Sequence, residues 1–153
     1  MRDVSPATKD LAQRLLRLES GGQLEAEAVA TAADRILARL RTRLDALLGR
    51  MGYFALLRRA LRLAQGEYPL MNSITIGQES DGDLLGLREF ALGNGGDPSA
   101  VASALAALVA HLFWLLVTFI GEDLTLRLVG EIWPDIAQGA GESLVQGEES
   151  KDE

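Results

Sequence analysis

The feature that most constrains this chain is an apolar segment of twenty residues from Val101 to Ile120. Its only polar side chains are those of Ser103, His111 and Thr118. As a helix, twenty residues extend over ~30 Å, which is the thickness of the hydrocarbon core of a bilayer. Such a segment is either a membrane span or the buried centre of a group of packed helices.

The flanks of this segment favour the buried helix. The nearest preceding basic residue is Arg88, too distant to anchor a span at an interface, and two acidic residues follow immediately. Trp114 lies in the middle of the segment, whereas membrane spans carry tryptophan at their ends. We therefore predict that helix 99–120 is the centre of a soluble fold. A single membrane span through residues 101–120 is the alternative.

The composition predicts an all-α fold. Apolar residues make up 48 % of the chain and aromatic residues only 5 %, so the core is aliphatic and suits helix-on-helix packing. We predict a bundle of four to five helices around the central helix. Three amphipathic helices barely cover so apolar a helix, so we expect an oligomer, with a homodimer as the simplest form. Besides the central helix, the apolar periodicity and the Pro and Gly positions predict helices at about 6–20, 23–48, 51–65, 84–92 and 122–132.

We predict one helical domain, residues 1–136, followed by a disordered acidic tail, residues 137–153. An irregular connection at about 67–97 interrupts the helices. Within it, residues 70–76 resemble a short extended segment without an evident partner strand. The acidic stretch 79–83 lacks the turn glycine and the final acid of an EF-hand loop, so we interpret it as a solvated turn.

The residue types argue against an enzyme. There is no cysteine, which excludes disulfides, thiolate catalysis and cysteine zinc sites. His111 is the only histidine, and no nucleophile–base spacing accompanies it. We therefore expect a non-enzymatic protein without metal or cofactor. No secretory signal is visible, so we expect a location in the bacterial cytoplasm, with the inner membrane as the alternative.

Charge is divided unequally along the chain. Residues 1–66 carry a net charge of +5 and residues 67–153 a net charge of −12. Three arginines of the second helix recur every four residues on one face, and an arginine and a tryptophan near the end of the last helix are of the types that anchor interfaces. The whole chain is acidic and has no nucleic-acid-binding motif, so we expect a protein partner and predict a regulatory interaction module. The predicted partner-binding residues are Arg35, Arg39, Arg43, Arg127 and Trp133.

Two further expectations concern Arg127 in the last predicted helix and His111 in the central one. Arg127 can bridge Asp123 and Glu131, which lie four residues before and after it. An alternative function is a carrier of an apolar ligand, with a pocket around His111 and Trp114.

Overall fold

The computed structural model describes residues 4–23, 25–77, 84–93 and 98–139, and 86 % of these are helical. The predicted all-α character is therefore confirmed. The described part holds six α-helices, against a predicted bundle of four to five: the predicted helices 23–48 and 51–65 form one element, α2, and the short α6 was not predicted. The α-helices are α1 (Pro6–Glu19), α2 (Ala26–Glu67), α3 (Leu87–Gly93), α4 (Pro98–Ile120), α5 (Glu122–Ile132) and α6 (Pro134–Gly139).

Helix α1 begins at the predicted cap. The backbone N–H of Thr8 donates to Oγ of Ser5 over 3.2 Å, and the two hydroxyls lie 2.9 Å apart in a buried position. Pro6 occupies the first helical turn, where its missing N–H costs nothing. The helix ends at Glu19, just before the glycine pair that predicted its end.

Helix α2 is a hairpin of two arms, residues 26–48 and 50–67. Gly49 has φ 82° and ψ 162°, which breaks the helix at the predicted position. The Tyr53 hydroxyl donates to the Leu37 carbonyl over 3.3 Å. Sixteen residues of straight helix would separate these positions by ~24 Å, far beyond the reach of a tyrosine side chain. The second arm therefore folds back along the first.

The connection after α2 is more ordered than its sequence suggested. It forms a 3₁₀ helix (Pro69–Ser73) and a strand β1 (Thr75–Ile76). The side-chain amide of Gln65 donates to the carbonyls of Met71 and Ile74, each over 3.1 Å. These two bonds attach the connection to the end of α2.

Strand β1 pairs antiparallel with β2 (Leu84–Leu85), so that Thr75 faces Leu85. The prediction of a helix from Leu84 was therefore wrong at its start, and helix α3 begins at Leu87. The physical reason is that the extended segment needs a partner for its backbone groups, which β2 supplies. The predicted acidic turn, 79–83, lies outside the described residues.

Helix α4 contacts α1, α2, α3 and α5, and its bounds lie within one residue of those predicted for it. By length and composition it is the one helix of the described part that could cross a membrane, and 61 % of its apolar window is buried within the protein. Five of its large side chains are fully buried, each 0 % exposed: Leu105, Leu108, Leu112, Phe113 and Leu116. The apolar character of this segment is thus used chiefly for packing within the chain.

Helix α5 follows α4 after a single glycine, Gly121, whose φ of 96° and ψ of 158° are close to those of Gly49. Its bounds are those predicted. Helix α6 contains the first three residues of the predicted tail, and residues 140–153 lie outside the described part of the chain.

Candidate protein-binding site

The carboxylate of Glu19 joins three helical segments that are far apart in the sequence. Its side chain is only 9 % exposed. Its Oε2 forms an ion pair with Arg39 Nε at 3.1 Å and accepts a hydrogen bond from Trp133 Nε1 over 2.9 Å. Glu19 ends α1, Arg39 belongs to the first arm of α2, and Trp133 follows α5. A single acid thus fixes the end of α5 to both other helices.

The neighbouring arginines of α2 belong to the same junction. One turn before Arg39, Nη1 of Arg35 makes a long contact of 3.5 Å with the carbonyl of Glu19. One turn after it, Nη1 of Arg43 forms an ion pair with Oε1 of Glu131 on α5. The four-residue spacing places all three arginines on one face of α2, which is contacted by the end of α1 at Glu19 and by α5 at Glu131. Both Arg43 and Glu131 are about half exposed, so their pair contributes little to stability.

A cleft of about 280 Å³ lies at this junction, which we call the Glu19 cleft. Its lining includes the apolar side chain of Leu18, which is 43 % exposed. Arg39 uses Nε for Glu19, and a guanidinium has further donors on its terminal nitrogens. The cleft can therefore hold an apolar side chain and, beside it, a group that accepts a hydrogen bond from Arg39, while Glu19 and Asp135 place two negative charges on the same lining. Its lining residues are Leu18, Glu19, Arg39, Ile132, Trp133, Pro134 and Asp135.

The structure brings together four of the five predicted partner-binding residues, Arg35, Arg39, Arg43 and Trp133. Trp133 is only 3 % exposed, so its ring is part of the core and only its edge lines the cleft. The fifth residue, Arg127, is exposed and lies apart, one turn before Glu131 on α5. The predicted bridges from Arg127 are not formed among the described residues, since Glu131 pairs with Arg43.

The central residue of the site, Glu19, was not predicted. It is 114 residues from Trp133 in the sequence, so no spacing rule links the two. One local signal exists. An acid in the last turn of a helix is opposed by the helix dipole, and it is stable there when a tertiary partner compensates. Arg39 and Trp133 are those partners.

His111 and Trp114, the predicted ligand-binding pair, are not brought together in the cleft that His111 borders. The His111 side chain is 7 % exposed and its Nε2 lies 3.3 Å from Oε1 of Glu67, at the end of α2. His111 borders a second cleft, of about 150 Å³, which also includes Lys9 and Tyr68. Trp114, one turn further along α4, is not part of that lining.

Replacing Glu19 with alanine is expected to lower the free energy of unfolding by about 1–2 kcal/mol, because the buried Nε1 of Trp133 then loses its acceptor. Chemical denaturation followed by tryptophan fluorescence measures this loss. The control is Asp10→Ala on the same helix, which breaks only an exposed pair with Arg14 and should cost a few tenths of a kcal/mol. Equal losses in the two variants would show that Glu19 does not hold the junction.

No protein-family model matches the chain, and no curated protein or solved structure is significantly similar to it. Within the described ranges, no group of three or more potential metal-ligating side chains comes together.

Proposed function

We propose that this chain is a cytoplasmic, non-enzymatic helical module that binds a protein partner at the Glu19 cleft. The observation that carries the proposal is the cleft itself, in which the side chains of Leu18 and Ile132 lie on the same lining as Arg39. The partner segment presents an apolar side chain to Leu18 and Ile132 and a carboxylate to the terminal nitrogens of Arg39.

The rigidity of the junction supports this proposal. Arg39, whose side chain is 53 % exposed, forms an ion pair with the carboxylate of Glu19, and Trp133 donates a hydrogen bond to the same oxygen, so both side chains are restricted before any partner arrives. Preorganised side chains lose little entropy on binding. Arginine is also among the residue types most enriched at the energetically dominant positions of interfaces.

The test uses the purified full chain and a displayed library of random peptides. Peptides are selected on the wild-type chain, and their affinities are then measured by calorimetry. We expect the enriched sequences to carry a large apolar residue within one helical turn of Asp or Glu. The variant Arg39→Glu should weaken their binding at least tenfold, because a carboxylate then meets a like charge.

The matched control is Arg62→Glu, a charge reversal at an exposed arginine of the second α2 arm, outside the cleft. This variant should bind the selected peptides as the wild type does. Enriched peptides that bind both variants equally would contradict the proposed site, and so would a selection that yields no specific peptide.

A further inference from the structure

One face of the central helix α4 is left partly uncovered by the rest of the described chain. Ser103 and Thr118 are exposed on it, and Ala107 and Trp114 are half-buried. The spacing of these four residues, by four, seven and four positions, keeps them in one stripe along the helix. The stripe is open at Ser103 and Thr118, whereas Ala110 and His111, between its two halves, are buried.

The first half of this stripe is a hole. Ser103, Ala106, Ala107 and Ala110 occupy positions i, i+3, i+4 and i+7, the four corners into which a side chain of a facing helix inserts in knobs-into-holes packing. All four line the cleft of about 150 Å³ between α1 and the end of α2. Their small side chains leave room for a large knob.

The second half of the stripe supplies such a knob, the half-buried ring of Trp114. We propose that a second copy of this chain covers the open face, with its α4 antiparallel to the first. In this register, Ala107 of each copy faces Trp114 of the other, and Ser103 faces Thr118. A single register satisfies both pairs, because the midpoint between positions 103 and 118 is also the midpoint between positions 107 and 114. The interface is therefore two-fold symmetric and closed, as in most homodimers.

Charge at the two ends of α4 fits the same register. Arg17 of α1 lines a cleft with Ala102 and Ser103, so a positive charge lies beside the start of α4. Glu122 and Asp123 follow its other end directly. In an antiparallel pair, the acidic end of each copy approaches Arg17 of the other. The two contacts oppose the repulsion between two chains of net charge −7.

The first test measures the mass of the purified full chain by light scattering over a range of concentrations, without detergent. We expect a dimer. Ala107→Trp fills the hole and should raise the dissociation constant about 30-fold or more, the effect of losing a dominant interface contact. Ala55→Trp, at an exposed alanine of α2, is the control and should leave the constant unchanged. A monomer at every concentration, a chain that remains in the membrane fraction, or equal constants for the two variants would overturn the proposal.

The second test establishes the register and does not depend on the stability of either variant. The chain has no cysteine, so Ser103→Cys and Thr118→Cys each introduce a single thiol. Under oxidation, a mixture of the two variants should form a mixed disulfide dimer. Neither variant should cross-link to itself, because like positions are ~22 Å apart in the antiparallel register. Self-linked dimers of Ser103→Cys would indicate a parallel pair and overturn the proposal. The inference is independent of the Glu19 cleft, and either proposal can fail alone.

Discussion

Replacement of Phe113 with alanine is expected to lower the free energy of unfolding by about 3–5 kcal/mol, the usual cost of removing a large aromatic side chain from a packed core. Phe113 is 0 % exposed and lies on α4, which contacts four of the other helices. The lost ring leaves a cavity that stiff helices cannot close. Since small domains have only about 5–15 kcal/mol of stability, the loss should be visible as a large shift of the urea midpoint.

The matched control is Phe119→Ala, the same change six residues further along the same helix. The Phe119 side chain is 66 % exposed, so its removal should change the free energy of unfolding by no more than about 0.5 kcal/mol. Similar losses for both variants would mean that something outside the chain covers the end of α4. A lipid bilayer is one such cover, so the pair of variants also tests the membrane alternative.

The second large effect is expected at the two glycines that reverse the chain, Gly49 and Gly121. Each has a backbone conformation, φ of 82° or 96° with ψ near 160°, that side-chain-bearing residues almost never adopt. A Cβ at either position would meet no atom within 4 Å. The cost of Gly49→Ala or Gly121→Ala is therefore that of the backbone alone, about 1–3 kcal/mol each. Denaturant unfolding measures both.

Gly66→Ala is the control for this pair. Gly66 lies within α2, and a Cβ there also meets nothing within 4 Å, but its φ is not in the left-handed region. Alanine favours the helix, so this variant should be as stable as the wild type or up to about 1 kcal/mol more stable. If Gly49→Ala were equally harmless, the sharp reversal of α2 would not be required for the fold.

Much of the helical framework could be predicted from local signals. The cap at Ser5, the break at Gly49 and the bounds of α5 each depend on residues within one or two turns of one another, and helical periodicity and capping act over that range. The pairing of β1 with Leu84–Leu85 could not be predicted in this way. Two strands of two residues each carry almost no periodic signal, and their pairing is decided by the fold around them.

The candidate site could likewise be predicted only in part from local signals. The sequence indicated the arginine face of α2 and Trp133 from residue type and spacing. It gave no indication that Glu19 connects them, because the contact joins residues 114 positions apart. The sequence also proposed a common pocket for His111 and Trp114. In the fold, His111 lies beside Glu67, whereas Trp114 is half-buried on the partly uncovered face of α4.

By itself, the sequence determined the all-α character, the place of α4 as the most apolar helix, and the glycines at which the helices break. These follow from propensity, periodicity and backbone sterics, which act locally. Which face of α4 is covered depends on how the helices pack. The same packing brings the arginines of α2 to an acid from α1 and to another from α5. Such contacts form between segments that are close only after the chain has folded. Each contributes little free energy and requires a particular geometry, so no local sequence pattern predicts it.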